Sequence, residues 1–174
     1  MAAHKWKFKS HFRQGAYGWK GSALAAKRVA EAVREIRKVR RNDPVEAAEG
    51  VVSFFERIVP AVEHVDDSWS RLGGALYKAM DELVSVVEEA PLDDNAREAL
   101  LERLWAAIQD DDFFYLHELP ERWGELCAEP TVAGQWADEF TLFLKAHASG
   151  DGMMGLHESP HRRAVGHAAG GPLP

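Results

Sequence analysis

The chain has almost no cysteine and no long apolar run, and each shortage excludes something. Its 174 residues hold one cysteine, Cys127, so neither an internal disulfide nor a cysteine-ligated zinc site can form. A chain that does without disulfides suits a reducing compartment. No apolar run approaches the roughly 20 residues a membrane-spanning helix needs. The basic opening, MAAHKWKFKSHFR, lacks the apolar core of a secretory signal. The sequence therefore reads as cytoplasmic, with no membrane partner. Periodic strand patterns are missing too, which leaves an all-α chain.

What is present is a tandem pair of amphipathic segments between Arg41 and Ala90. Asp43 is a favourable N-cap, Pro44 a favourable first helical residue, and Glu46 sits at capping-box spacing. Val45, Ala48, Val52, Phe55, Val59 and Val62 then recur three or four apart and share one helix face. A second stripe comes next in Trp69, Leu72, Leu76, Met80, Leu83 and Val87, and Pro91 ends it. Two such stripes in tandem make a helical hairpin that must bury both faces, with Leu76, Met80 and Leu83 in the core.

The remaining elements arrange around that hairpin. Ser22 can cap a first long helix running from Ala23 to about Arg41, with Ala25, Val29, Val33, Ile36 and Val39 buried. Asp93 or Asp94 caps a fourth helix, whose core face is Leu100, Leu101, Leu104, Trp105 and Ile108. Asp110, Asp111 and Asp112 stop that helix and cap the next element. Phe113 to Leu119 is a short aromatic helix or turn, Pro120 starts a helix through Trp123 and Cys127, and Pro130 opens a last one carrying Val132, Trp136, Phe140, Phe143 and Leu144. Cys127 lies on an apolar face without a basic neighbour and reads as a buried structural cysteine. The expected fold is about six helices in antiparallel hairpins, forming an irregular solenoid-like stack or a bundle. A body of this length buries roughly 70% of its unfolded surface and needs no staple.

Residues 1–21 carry Trp6, Phe8, Phe12, Tyr17 and Trp19 among five cations and three glycines. Rings of this kind are costly to leave in water, so the segment is expected to dock on the helical body, residues 22–148. From 149 to 174 the chain is rich in Gly, Pro and His without helical periodicity, and reads as a disordered tail.

Charge is unevenly divided. Residues 1–41 hold twelve Lys or Arg against two Glu, a net of +10, whereas the rest of the chain nets −17. The two parts can attract each other within the fold. Alternatively, cations and interleaved aromatics over residues 5–41 can grip a nucleic acid, with Lys27, Arg34, Arg37, Lys38, Arg40 and Arg41 on phosphates and Trp6 and Trp19 as stacking rings.

One motif invites a metal reading. His157-Glu158-Ser159-Pro160-His161 matches H-E-x-x-H, and His167 stands where the extended zinc-protease pattern has its third ligand. Pro160 falls inside the stretch that must be helical, where it costs about 3 kcal/mol, and Ala164 replaces the pattern's glycine. A zinc-dependent hydrolase is thus a remote alternative, and adventitious zinc binding by His157, His161 and His167 fits better. No cofactor is implied. His64 and His117 have no evident partners in the sequence.

Four blocks, KWKFKSHFRQGAYGWKGS, EIRKVRRNDPVEAAEGVVSFFERIVPAVEHVD, LERLWAAIQDDD and ERWGELCAEPTVAGQWAD, together resemble a family of bacterial helical proteins grouped as a domain of unknown function. The resemblance spans about residues 5–145 and carries no catalytic motif. It implies further helices where this chain turns to Gly, Pro and His, hence a truncated member whose Trp136, Phe140 and Phe143 face lacks its usual cover. The sequence thus points to a non-enzymatic helical scaffold that binds a protein partner or another copy of itself. Nucleic-acid binding through residues 5–41 is the alternative.

Overall fold

The computed structural model describes residues 4–68 and 70–148. Six α-helices run in order: α1 Ser22–Arg40, α2 Pro44–Val62, α3 Arg71–Glu88, α4 Asp94–Gln109, α5 Trp123–Cys127 and α6 Pro130–Ala148. Two 3₁₀ turns, Phe8–Ser10 and Pro120–Arg122, complete the elements, and no strand occurs among the described residues. The odd-numbered helices lie side by side in one layer and the even-numbered in a second, because α1 packs on α3, α3 on α5, α2 on α4 and α4 on α6. Neighbours within a layer run in the same direction. Along α1 and α3 the pairs Ser22–Asp67, Arg37–Glu82 and Arg40–Glu89 ascend together. The result is an all-α fold of three stacked hairpins, the class that the apolar stripes imply.

Helix α2 is the centre of the stack. Asp43 caps it as expected, its carboxylate accepting the Glu46 N–H at 2.9 Å. Glu46 does not return the bond to complete a capping box, since its own carboxylate accepts from the His4 N–H. Ala48, Val52, Phe55, Val59 and Val62 are buried, but so are Ala47, Val51, Phe54, Ile58 and Ala61 on the other sides. The stripe understates this helix, which is apolar nearly all round. Val45 departs from expectation at 39% exposure.

The N-terminal segment covers the side of α2 that the helices leave open. Trp6, Phe8, Phe12 and Tyr17 are all buried, and the Phe8 and Phe12 rings meet Phe54 edge-on at 6.0 and 5.5 Å. Glu35 of α1 accepts the backbone N–H groups of Lys7 and Phe8. Gly15 and Tyr17 donate their N–H groups to the carbonyls of Pro60 and Ala61, acceptors in the last turn of α2. The segment therefore closes a helix end as well as an apolar face. Trp6 lies against Gly50 so closely that a Cβ there would stand 2.3 Å from the indole.

Helix ends elsewhere are closed by side chains from other elements. Ser22, expected to cap α1, is instead its first residue, after Gly21. The Ser22 hydroxyl donates to Asp67, whose carboxylate also accepts the Leu72 and Gly73 N–H groups and so caps α3 from outside. Trp69, the expected first member of the α3 stripe, lies outside the described residues. Leu72, Leu76, Met80, Leu83 and Val87 are buried as expected. Asp93 caps α4 through the Ala96 N–H.

Arg97 is buried and faces no carboxylate. Its guanidinium donates to the carbonyls of Val87, Glu88 and Ala90 at the end of α3 and to Leu126 in α5. Two sets of helix C-terminal carbonyls thus surround the cation. The third hairpin packs on the second through Trp105, Trp123, Trp136 and Phe140, with the Trp123 and Trp136 ring centroids 5.0 Å apart at 70°. Trp136 is accordingly buried, contrary to the expectation of an uncovered face, while Phe140 is half-buried. The side chain of Phe143 and the whole of residues 149–174 lie outside the described residues.

Two substitutions test these contacts. Gly→Ala inside a helix ordinarily gains about 1 kcal/mol. Gly50→Ala should instead lose about 1–3 kcal/mol by overpacking against Trp6. In a Trp6→Ala background the same change should become neutral or stabilising, and urea denaturation of the four proteins reads both signs. Arg97→Met should cost about 3 kcal/mol or more, since unpaired buried acceptors cost roughly 1–3 kcal/mol each. Arg97→Lys, with one donor group in place of a fork, should recover only part of that loss by the same measurement.

Candidate functional site

Helices α1 and α3 approach through small residues, and a groove of about 580 Å³ remains between them. Val29, Ala30 and Val33 from α1 and Gly74, Ala75 and Ala79 from α3 line it, with Arg34, Arg37, Arg71, Lys78 and Glu82 around them. Arg37 is paired with Glu82 at 2.8 Å. Arg34 donates only to the Ala30 carbonyl one turn back. Among the described residues, Arg34, Arg71 and Lys78 make no ion pair. A second depression, of about 460 Å³, shares Arg71 and extends to Lys20 and Trp19. The groove thus combines a small apolar lining with three cations, Arg34, Arg71 and Lys78, that make no ion pair among the described residues.

The residues singled out for nucleic-acid contact do not share one surface. Arg34 and Arg37 line the groove. Lys27 and Lys38 on α1 and Arg41 just past its end are exposed without lining it, and Arg40 is drawn away by Glu89. Trp19 is open to solvent at 69% exposure. Trp6 is corrected: it is buried against Gly50, so no base can stack on it. Arg71 and Lys78 do not stand out in the sequence. The offset of about 45 residues that pairs Arg37 with Glu82 also brings Arg34 beside Lys78, and that spacing is the one signal that could have found them.

The opposite layer has a different character. Between α2 and α4 lies a cleft of about 450 Å³, lined by Phe55, Val59, Pro60 and Phe113 and edged by Glu56, Glu63, Asp110 and Asp112. Arg103 crosses it, held by Glu56 at 2.8 and 2.9 Å and by Glu49 at 2.8 Å. Those hydrogen bonds, Glu56 foremost, push its pKa further above the ordinary arginine range against the cost of burial.

The three aspartates do not form a cation site; no group of three or more His, Cys, Asp or Glu that could hold a metal ion occurs among the described residues. Asp110 ends α4. Asp111 is buried and clamps the following turn, accepting the Phe113 N–H at 3.2 Å and the Leu116 N–H at 2.6 Å. It organises a turn rather than capping a helix. Burial raises its pKa, opposed by these backbone bonds. The turn carries Phe114 at φ +58° and leaves Phe113 and Phe114 at 53% and 75% exposure. His117 and His64 do have partners, each lying beside an adjacent glutamate, Glu118 and Glu63. The HESPH motif and His167 lie outside the described residues.

Cys127 is buried, and desolvation pushes its thiol up to about 11, partly opposed by Arg97. A thiol so held is protonated at neutral pH and is a poor nucleophile. No family model, curated protein or solved structure matches the chain. No helix among the described residues is long and apolar enough to cross a membrane.

The thiol offers a direct check. At pH 8 the native protein should react with an aromatic disulfide reagent far more slowly than the denatured chain, as followed by absorbance. Because the folded state holds this proton more tightly, the thiol's contribution to stability is complete below its ordinary value of 9.0 and is lost as pH rises towards about 11. Cys127→Ser should remove that part of the alkaline loss in unfolding curves.

Proposed function

We propose that the chain is a non-enzymatic helical interaction module, acting in the cytoplasm, whose α1/α3 groove takes an acidic segment of a protein partner. On this reading it is a member of the bacterial helical family that its four blocks resemble, with the stacked hairpins as a scaffold. The observation that carries the proposal is the pairing of a small-residue lining with cations free of ion pairs. Small residues at the bottom of a groove admit the apolar stripe of a partner helix or turn, the helix-in-groove mode of recognition. Cations around it meet the partner's carboxylates and set orientation and encounter rate more than raw affinity.

Nucleic acid is the second reading, favoured by the run of exposed cations that continues beyond the groove as Lys38 and Arg41, and by Trp19 at one end. Against it, four of the five N-terminal aromatics are spent in the core, and much of the surface is acidic and repels a polyanion.

One titration separates the two. A labelled amphipathic peptide helix with a leucine stripe flanked by glutamates should bind the intact chain, and the double variant Arg34→Glu, Lys78→Glu should lose at least tenfold in affinity by fluorescence anisotropy. Labelled single- and double-stranded oligonucleotides should bind weakly under the same conditions. Tight oligonucleotide binding with a steep salt dependence, removed by neutralising Lys38 and Arg41, would replace the first reading with the second.

A further inference from the structure

We infer that the occupant of the α1/α3 groove is the turn after α4 of a second copy of this chain, with Phe113 and Phe114 entering the groove and Asp110 and Asp112 meeting its cations. This rests on the reading of the groove as a site for an acidic segment and names the segment.

The turn has the complementary composition. It places two exposed phenylalanines directly after the exposed carboxylates Asp110 and Asp112. The groove offers a small apolar lining beside Arg34, Arg71 and Lys78, none of which has an ion-pair partner among the described residues. The turn's conformation is held by the buried Asp111 and Leu116 and not by burial of its two phenylalanine rings. Phe114 occupies the left-handed region at φ +58°, which is costly for a residue with a side chain, yet its ring lies in water. Strain at an exposed aromatic is held in place by Asp111, which spends a buried carboxylate on the N–H groups of Phe113 and Leu116. The rings are thus presented to solvent in a fixed arrangement before any partner arrives, which lowers the ordering cost of contact.

Within one chain both rings remain exposed, so the turn does not fill its own groove. The contact therefore joins different patches on two copies. Made one way, turn of one copy into groove of the next, the contact leaves one turn and one groove free on every pair, and assembly continues into a ring or a chain. Exposed charges supply part of the attraction, so added salt weakens it.

Sedimentation equilibrium of the intact chain, from micromolar to millimolar concentration, tests this with two variants. Phe113→Ser with Phe114→Gly removes both rings and relieves the backbone at the left-handed position, so the fold is kept. Arg34→Glu with Lys78→Glu reverses the groove's charge; far-ultraviolet circular dichroism confirms that each variant folds, and Phe114→Gly alone stands in for the first if needed. The wild-type average mass should rise with concentration beyond that of a dimer and fall back in high salt. Each variant alone should stay monomeric, and an equimolar mixture should form a complex of two and nothing larger, because it has one good turn and one good groove. A wild-type chain monomeric throughout, a variant that assembles like wild type, or a mixture that stays monomeric would each overturn the inference. If the wild type is monomeric but still binds the glutamate-leucine peptide, only the identity of the occupant fails. If it binds neither, the groove reading fails with it.

Discussion

A helix that is apolar nearly all round has to be enclosed, and α2 sets that requirement for the whole molecule. Its stripe needs α4, its flanks need α1 and α3, and the remaining side is closed by a segment without regular structure. That segment brings four large aromatic residues to the task and still has to satisfy its own backbone. Glu35, Glu46 and the last carbonyls of α2 accept its N–H groups, so burial leaves few unpaired donors. Gly50 answers the same requirement. A helix-interior glycine is ordinarily a weakness, but here it lets an indole reach the helix backbone.

Charge in this fold is sorted by depth. The buried ions, Arg97 and Asp111, are matched by backbone dipoles: Arg97 by the carbonyl ends of two helices, Asp111 by N–H groups of a tight turn. The part-buried Arg103 is matched by two carboxylates. At the surface, matching is less complete. Arg37 and Arg40 find acidic partners on α3 and beyond its end, whereas Arg34, Arg71 and Lys78 lie beside each other without one. Glu82 lines the same groove but is paired with Arg37, while Glu56, Glu63, Asp110 and Asp112 border the cleft of the even layer.

Much of the architecture is legible in the sequence because local signals agree with the tertiary result. Asp43-Pro44, Asp93 and the stripes of α2 to α4 are each the work of one segment and its period. The docking of residues 6–17 can be foreseen from the cost of hydrating their rings, although the same rings suggest base stacking and only burial decides against Trp6. Contacts between segments are what the sequence hides. Arg97 stands one turn into α4 like any exposed cation, and nothing near it reveals that it closes the end of α3. Ser22 looks like a cap but answers to Asp67, forty-five residues on. The groove requires Arg71 and Lys78, which join Arg34 only when two helices lie in parallel register. Trp136 looks bare in the sequence because its cover, Trp105 and Trp123, comes from two other elements.

The way the N-terminal segment is seated also bears on the order in which the chain can be made. Gly15 and Tyr17 bond to Pro60 and Ala61, and Trp6 needs Gly50. During synthesis the segment of residues 6–17 leaves the ribosome before α2 does and finds no seat until the end of that helix has formed. For some forty residues of translation it is a sticky, positively charged thread. The docking of residues 6–17 thus has to wait for the helix end that receives them.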